Sequence, residues 1–333
     1  CRLGGFPCNG LLYANPHPCE CYITAKLNGM LALAPAAESG LQRAPAERLL
    51  KGPAYEAARK EAPQADKSSA DWPVFRHDAQ RSGSTDCSVE PDIKIKWKAE
   101  LAGDPITACT AAKGLLFTAC PKTHQVYALN AETGAIVWNF TARGGVDTPP
   151  TYSRGNIYFG CNSGYVYCLD AQNGQLAWRL LAAPADRLIG AFGQVESAWP
   201  VHGSLIVKDG KVYAAAGRSS YLDGGIRCYA LDARTGEIFQ QFRLQSDYDI
   251  DVDIGCQKGS KYQSYGYLDD LMVAHGDKIY MRQNRIFPAE ADLVQTEVHK
   301  TDAAGRNGGP VHSLAGFLDD TWFSRTRWYV DGQ

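Results

Sequence analysis

The chain has 333 residues, 45% of them hydrophobic, with 34 basic and 36 acidic side chains and a formal net charge of −2. That near-neutral balance, with no basic block, argues against nucleic acid or an anionic membrane surface as a partner, and no apolar run approaches the ~18 residues of a transmembrane helix. The 33 glycines and 17 tyrosines suit an all-β protein with many tight turns, and the length allows two or three domains or one large β-propeller.

In chain order, the first 22 residues, CRLGGFPCNGLLYANPHPCECY, pack four cysteines around His17. Soft ligands this close suit copper or zinc, with His17, Cys19 and Cys21 as the nucleus. One or two disulfides tying down an irregular loop suit the same residues. The chain carries 11 cysteines in all, more than cytosolic proteins hold without metals, so disulfides in an oxidising compartment, periplasmic or extracellular, are expected. Several cysteines fall in strand-like text, where a free thiol acts as a small hydrophobe. No Cys-x-x-Cys-His occurs to attach a c-type haem. Residues 36–70, rich in Ala, Pro and charge, read as an insertion or linker with a short helix around AERLL. Residues 1–35 read as a Cys-rich segment and residues 71–333 as the main body. The chain starts at Cys1 without a leader and stops at TRWYVDGQ, just as a strand begins, so a piece of a longer polypeptide is expected.

One sentence is written three times: VYALNAETGAIVW (126–138), VYCLDAQNGQLAW (166–178) and, more loosely, CYALDARTGEIFQ (228–240). Apolar residues alternate, a turn follows (AETG, AQNG, ARTG), and a second short strand ends each copy, which is a hairpin. Text such as TPPTYSRGNIYFGCNSG supplies two more strands before it. Four short strands per ~40 residues mark a propeller blade, which buries its faces only by stacking on its neighbours.

Ala128, Asn130, Thr133, Gly134 and Trp138 fit a pattern A-x-D/N-x-x-T-G-x-x-x-W. Cys168, Asp170, Asn173, Gly174 and Trp178 fit it with two substitutions; Ala230, Asp232, Thr235 and Gly236 fit until Gln240 replaces the Trp. This is similar to the tryptophan-docking motif of the pyrroloquinoline-quinone (PQQ) propeller superfamily. The resemblance implies a Trp packed between neighbouring blades and a turn fixed by the short polar residues. DWPVFRHDAQRSGST (71–85) resembles the segment that opens such propellers, NGMLALAP (28–35) a worn blade end, and DLMVAHGDKIYMRQ (270–283) two inner strands. About five blades can be counted, whereas the family usually closes with seven or eight.

The third copy starts 62 residues after the second, not 40. Fifteen of the extra residues enter between Trp178 and Gly210, from an outer strand to the next inner strand; seven enter between Gly210 and Cys228, from a second to a third strand. In an antiparallel blade both connections emerge on one face, opposite the TG hairpins, where loops on a rigid scaffold gather binding groups. The first loop offers Asp186, Arg187, Gln194, Glu196, Trp199 and His202; the second offers Arg218, Ser219, Ser220, Tyr221 and Asp223. Trp199 and Tyr221 suit stacking on a planar ring or sugar, Arg218 a carboxylate, and His202 beside Glu196 or Asp223 a general base. A loop salt bridge between Arg218 and Asp223, with Trp199 as a channel plug, uses the same residues. Both loops resemble stretches of PQQ-like proteins from environmental bacteria.

DYDIDVDIG places Asp247, Asp249, Asp251 and Asp253 at alternate positions, for calcium or as a solvated edge strand. Residues 311–332 combine His312, Asp319, Asp320, Trp322, Arg325 and Arg327, either lining the axial site or forming ion pairs. The expected function is an exported propeller binding a small molecule or carbohydrate, or serving assembly alongside the rest of its polypeptide or another subunit. The alternative, implied by the resemblance, is a quinoprotein oxidoreductase with PQQ and calcium. It departs from the family there: no adjacent Cys-Cys pair exists.

Overall fold

The computed structural model describes residues 5–15, 30–35, 47–60, 71–89, 91–191, 193–220, 222–245, 269–281, 284–287, 311–312 and 329–330. Strands β1 (Gly5–Cys8), β2 (Leu11–Ala14) and β3 (Leu31–Leu33) form a three-stranded antiparallel sheet, followed by β4 (Leu49–Lys51) and the short helix α1 (Tyr55–Arg59). Blade 1 is β5 (Thr110–Ala112), β6 (Leu115–Cys120), β7 (Gln125–Asn130) and β8 (Ile136–Thr141). Blade 2 is β9 (Thr151–Ser153), β10 (Asn156–Gly160), β11 (Tyr165–Asp170) and β12 (Leu176–Leu181). A hairpin of β13 (Leu188–Ala191) and β14 (Gln194–Ser197) interrupts the array. Blade 3 is β15 (Ile206–Lys208), β16 (Lys211–Ala216), β17 (Ile226–Asp232) and β18 (Ile238–Leu244). Three strands of a fourth sheet follow, β19 (Met272–His275), β20 (Lys278–Met281) and β21 (Asn284–Ile286), and then a pair, β22 (Val311–His312) and β23 (Tyr329–Val330). All pairing is antiparallel between sequence neighbours, apart from β4, as the hairpin repeat demands.

Each repeated hairpin is built the same way. The Asn130 carboxamide oxygen accepts the Glu132 and Thr133 N–H groups at 2.9 and 3.0 Å; Asp170 does the same for Gln172 and Asn173, and Asp232 for Arg234 and Thr235. These Asx turns explain why only Asn or Asp stands there. The glycine that follows has φ between 71° and 73°. Against it lies the Trp of the preceding blade: Trp138 donates its indole N–H to Ala171 O at 3.0 Å and Trp178 to Ala233 O at 3.2 Å. A Cβ on Gly174 or Gly236 would sit 2.6 Å from the Trp138 or Trp178 ring. The motif is thus an interblade joint. Trp97 makes the same joint one blade earlier, with Nε1 on Ala131 O at 3.0 Å and its ring over Gly134.

The core lies between blades. Phe117, Val126, Trp138, Phe159 and Tyr167 fill the blade 1–2 interface; Tyr158, Trp178, Trp199, Val212 and Tyr229 the blade 2–3 interface; Cys228, Phe242, Met272 and Ile279 join blade 3 to the fourth sheet. Toward the axis, Thr110 Oγ1 donates to Pro150 O and Thr151 Oγ1 to Leu205 O, both at 2.7 Å, linking successive inner strands. Residues 71–83 run along those strands. Trp72 pairs with Ala111, Tyr152 N donates to Pro73 O, and Ala274 N to Ala79 O. Buried Arg81 donates to Phe75 O, Ser204 O and Met272 O.

Two expectations are corrected. AERLL is not helical: Leu49 and Leu50 belong to β4, which pairs with the outer strand of blade 2 and makes it five-stranded, while the helix falls at Tyr55–Arg59. Tertiary pairing overrides local propensity there, anchored by Arg48 donating to Leu181 O, Ala182 O and the Tyr229 hydroxyl. The cysteines do not pair among the described residues: Cys8, Cys87, Cys109, Cys120, Cys161, Cys168 and Cys228 are all free thiols, the last four buried. Cys161, Cys168 and Cys228 fill apolar space in three different clusters. His17, Cys19, Cys21 and Asp247 to Asp253 lie outside the described residues.

Gly155 (φ 81°, open space around a Cβ) and Gly174 (φ 71°, facing Trp138) separate backbone strain from docking. Gly155→Ala should cost about 1 kcal/mol, the strain of a left-handed alanine, and Gly174→Ala about 1–3 kcal/mol more from overpacking the indole. Urea denaturation measures both; equal losses would show that the ring does not constrain the turn.

Candidate functional site

Both inserted loops reach one place. The first folds back as the β13–β14 hairpin and holds the second: Trp199 Nε1 donates to Asp223 O at 3.0 Å, Arg187 Nη1 reaches Asp223 Oδ1 at 2.8 Å, and Gly217 N donates to Pro200 O at 2.9 Å. From the second loop itself, Arg218 Nη2 meets Asp223 Oδ2 at 2.5 Å. Asp223, at φ 54°, therefore serves as a clamp between two arginines. This is the salt bridge that the sequence left open beside ligand binding.

Around the clamp, connections from several blades converge. Asp147 comes from the blade 1–2 connection and His202 from the blade 2–3 connection; His202 Nδ1 and Asp147 Oδ2 are 2.8 Å apart, and Asn162 Nδ2 donates to Asp147 Oδ1 at 3.3 Å. Asn162 N and O bind Gly145 O and Ser197 N at 2.8 Å each, fixing the three loops together. Asp269, just before β19, donates its N–H to Arg218 O. Glu196, on β14, is buried.

These charges are coupled. Burial pulls the His202 imidazole down, but the hydrogen bond to Asp147 and the charges of Asp147, Asp269 and Glu196 push it up to about 9. Burial would raise Asp147; the His202 hydrogen bond and charge and the Asn162 amide outweigh it and hold that carboxyl below its usual range. Burial raises Glu196, against the pull of His202 and Arg218. Asp269, fully buried, is raised well above its ordinary value by desolvation, with His202 acting against it. At neutral pH the hub holds an ionised Asp147–His202 pair beside a buried Asp269 whose ionisation is disfavoured.

The candidate residues differ in what they present. Trp199 is 2% exposed, its ring packed between blades 2 and 3 and its N–H spent on Asp223, so it offers no open face for stacking. Ser219 and Ser220 are buried, and Tyr221 lies outside the described residues. His202 bonds Asp147 rather than Glu196 or Asp223. The Arg218 side chain is 10% exposed, yet its Nε and Nη1 have no partner among the described residues, and neither has either Asp269 oxygen. Asp147, Asn162 and Asp269 were missed in the sequence because they sit on connections of normal length or far from the repeats. The connection carrying Asp147 is nonetheless the blade 1–2 equivalent of the one carrying His202. Of residues 311–332, only 311–312 and 329–330 are described.

A ring of stacked four-stranded blades, joined by tryptophans and carrying a polar site where the interblade connections meet, is a β-propeller with a one-sided hub. Residues 80–241, just under half of the chain, match the family model described as "Outer membrane protein assembly factor BamB", which agrees with the PQQ-like β-propeller character of the docking repeat. It is 26% identical over 177 residues to the polyvinylalcohol dehydrogenase of Sphingopyxis sp. strain 113P3, covering 48% of this chain and 25% of that protein. It is 27% identical over 169 residues to the dehydrogenase subunit of the quinone alcohol dehydrogenase of Gluconobacter oxydans, 45% of this chain and 21% of that one. With the outer membrane protein assembly factor BamB of Yersinia pestis it shares 26% over 173 residues, 49% and 40% of the two chains. The matched segments thus span from about a fifth to two fifths of these relatives.

The family implies PQQ with calcium. Among the described residues no three His, Cys, Asp or Glu side chains gather where a metal ion would fit, and the Trp199 ring is enclosed in the core. The described residues do not fit the cofactor pair, and no chemical step is derived through it.

The His202 shift sets a pH window. With a folded value of about 9 above the usual 6.5, the stability that His202 contributes is complete below pH ~6.5, down to the acid range where Asp147 takes up its proton, and is lost as pH rises through 9. Asp147→Asn should return the imidazole midpoint toward or below 6.5, read by NMR titration of the ring protons, and flatten the stability profile between those limits. An unmoved midpoint would show that Asp147 does not govern His202.

Proposed function

We propose that this chain is an exported propeller module that binds a carboxylate-bearing small molecule or sugar acid at the loop face of its hub, as part of a larger polypeptide or assembly. One observation carries the reading: a guanidinium nine-tenths buried, with two N–H-bearing nitrogens unpartnered among the described residues. An unsatisfied buried donor costs about 1–3 kcal/mol, more when charged, and a bidentate acceptor such as a carboxylate would remove that cost. Asp269, whose backbone N–H bonds Arg218 O, adds a buried carboxyl whose oxygens have no partner among the described residues, and the His202–Asp147 pair adds a nearby dipole. Export is supported by the name of the BamB relative, an outer membrane assembly factor; no helix among the described residues is long and apolar enough to cross a membrane.

Sugar acids titrated calorimetrically against their neutral sugars test this. The acids should bind and the neutral sugars should not, and Arg218→Gln should weaken binding about 10–100-fold, the loss of one charged hydrogen-bonded pair. Thermal stability should change little, since Asp223 keeps Arg187. Equal binding of neutral sugars, or no loss in the variant, would refute the assignment.

The second reading is a quinoprotein-type oxidoreductase acting on an alcohol or sugar, favoured by the similarity to two alcohol dehydrogenases. A quinone absorption band, or dye-linked alcohol oxidation after addition of PQQ and calcium, would establish it; neither signal appearing would remove it.

A further inference from the structure

On the face opposite the hub, where the short turns lie, the junction of blades 2 and 3 opens into a cleft of about 480 Å³. That size is within the range of small-ligand sites. The interblade joint forms its floor: Tyr158 donates its hydroxyl to Ala233 O at 3.1 Å, the carbonyl that also accepts the Trp178 indole. The β9–β10 turn contributes Arg154, the start of β16 Lys211, and the β17–β18 hairpin Arg234 and Phe239. The segment ahead of blade 1 completes the cleft. β4 runs along β12 toward this face, and α1 packs Tyr55 and Ala58 into the core around Tyr158 and Trp178, which brings Lys60 to the rim.

Blade docking does not account for these side chains. The turn uses Asp232 and Gly236, and the joint uses Trp178 and Ala233 O. At the blade 1–2 junction the same repeat positions hold Lys113, Asn156, Gln172 and Ala177, where Arg154, Lys211, Arg234 and Phe239 stand here. One cation becomes three and an alanine becomes an aromatic ring. Lys60 adds a fourth cation from a segment that has no counterpart at the other junction among the described residues. These charges also lack opposite partners. Lys60, Arg154 and Arg234 make no ion pair among the described residues, while Asp209 is taken by Lys208 at 2.5 Å and Asp232 Oδ1 by the Asx turn. Lys211 is held 3.8 Å from the centroid of the exposed Phe239 ring, a contact that orients an ammonium without cancelling its charge. Four cations against two carboxylates leave the lining at +2, and like charges gathered this way favour an anion between them.

We propose that this turn-face cleft is a second binding site, separate from the hub, that takes the phosphate group of a small phosphate monoester. Such a group carries close to two negative charges at neutral pH, the amount that balances the lining. Arg154 and Arg234 grip phosphate oxygens in pairs, and Lys60 and Lys211 add point charges. Phe239, Val207 and Ala58 give the organic part an apolar surface. The site stands whether or not the hub binds a carboxylate.

Calorimetric titration of the intact chain with glucose 6-phosphate, inorganic phosphate and glucose tests this. Both phosphates should bind and glucose should not. The double variant Arg154→Gln/Arg234→Gln should weaken glucose 6-phosphate binding at least ~10-fold, through lost charged hydrogen bonds. Its Tm should stay unchanged, because blade 2 already carries Gln172 at the position of Arg234 with its turn and its joint intact. Hydrogen exchange with and without glucose 6-phosphate locates the ligand: amides 154–156, 209–211 and 233–236 should gain protection, and amides 217–220 should not. No binding of either phosphate, equal binding of glucose, or undiminished affinity in the double variant would each overturn the proposal. Protection appearing at 217–220 instead would also overturn it, placing the phosphate at Arg218 in the hub.

Discussion

An indole laid across a glycine holds the ring together. Trp138 and Trp178 each bridge two blades and Trp97 packs on blade 1 in the same way, and each needs a residue without a side chain beneath it and a free carbonyl beside it. The turn supplies both, because Asn or Asp at its start closes the Asx hydrogen bonds and lets the glycine take a left-handed conformation. Burying a tryptophan at such a joint contributes several kcal/mol, and the joints repeat, so stability accumulates from neighbour contacts as in other repeat architectures. The loop-face site depends on this joint because its residues come from connections both between blades (Asp147, His202, Asp269) and within them (Asn162, Arg218, Asp223).

The site couples packing and charge. Asp223 is saturated by two arginines and a tryptophan N–H, so it holds the two inserted loops as one body. Beneath it, the blade 1–2 and blade 2–3 connections are tied by Asn162 and by the His202–Asp147 pair. Left without a partner at this site, among the described residues, are Arg218 Nε and Nη1, both Asp269 carboxyl oxygens and Asn162 Oδ1. A rigid frame surrounding a few unmet polar groups is the arrangement expected of a recognition site.

The blades, their turns and the shared face of the two insertions were legible because period-two patterning and a 40-residue repeat are local signals. Trp199 was read two ways, as a stacking platform or as a channel plug; it is buried between blades 2 and 3, a place visible only once the neighbouring blade is set against it. His202 was recognised but its partner was not, since Asp147 lies 55 residues away on an ordinary connection. β4 was read as helix because leucines in an Ala-rich, charged stretch favour helix locally, while the open edge of blade 2 is visible only in three dimensions. The cysteines were read both as disulfide partners and, in the strand-like text, as free small hydrophobes; Cys161, Cys168 and Cys228 follow the second reading, buried and free in three different clusters.

Residues 71–83 have a consequence for how the molecule is made. They touch strands from residue 111 to residue 274, so this stretch, synthesised ahead of the blades, cannot settle until those later strands have emerged. Such long-range closure is entropically costly and slows folding. For this stretch translation and consolidation are out of step, since the carbonyls of Ser204 and Met272 that hold Arg81 lie more than 120 residues further along the chain.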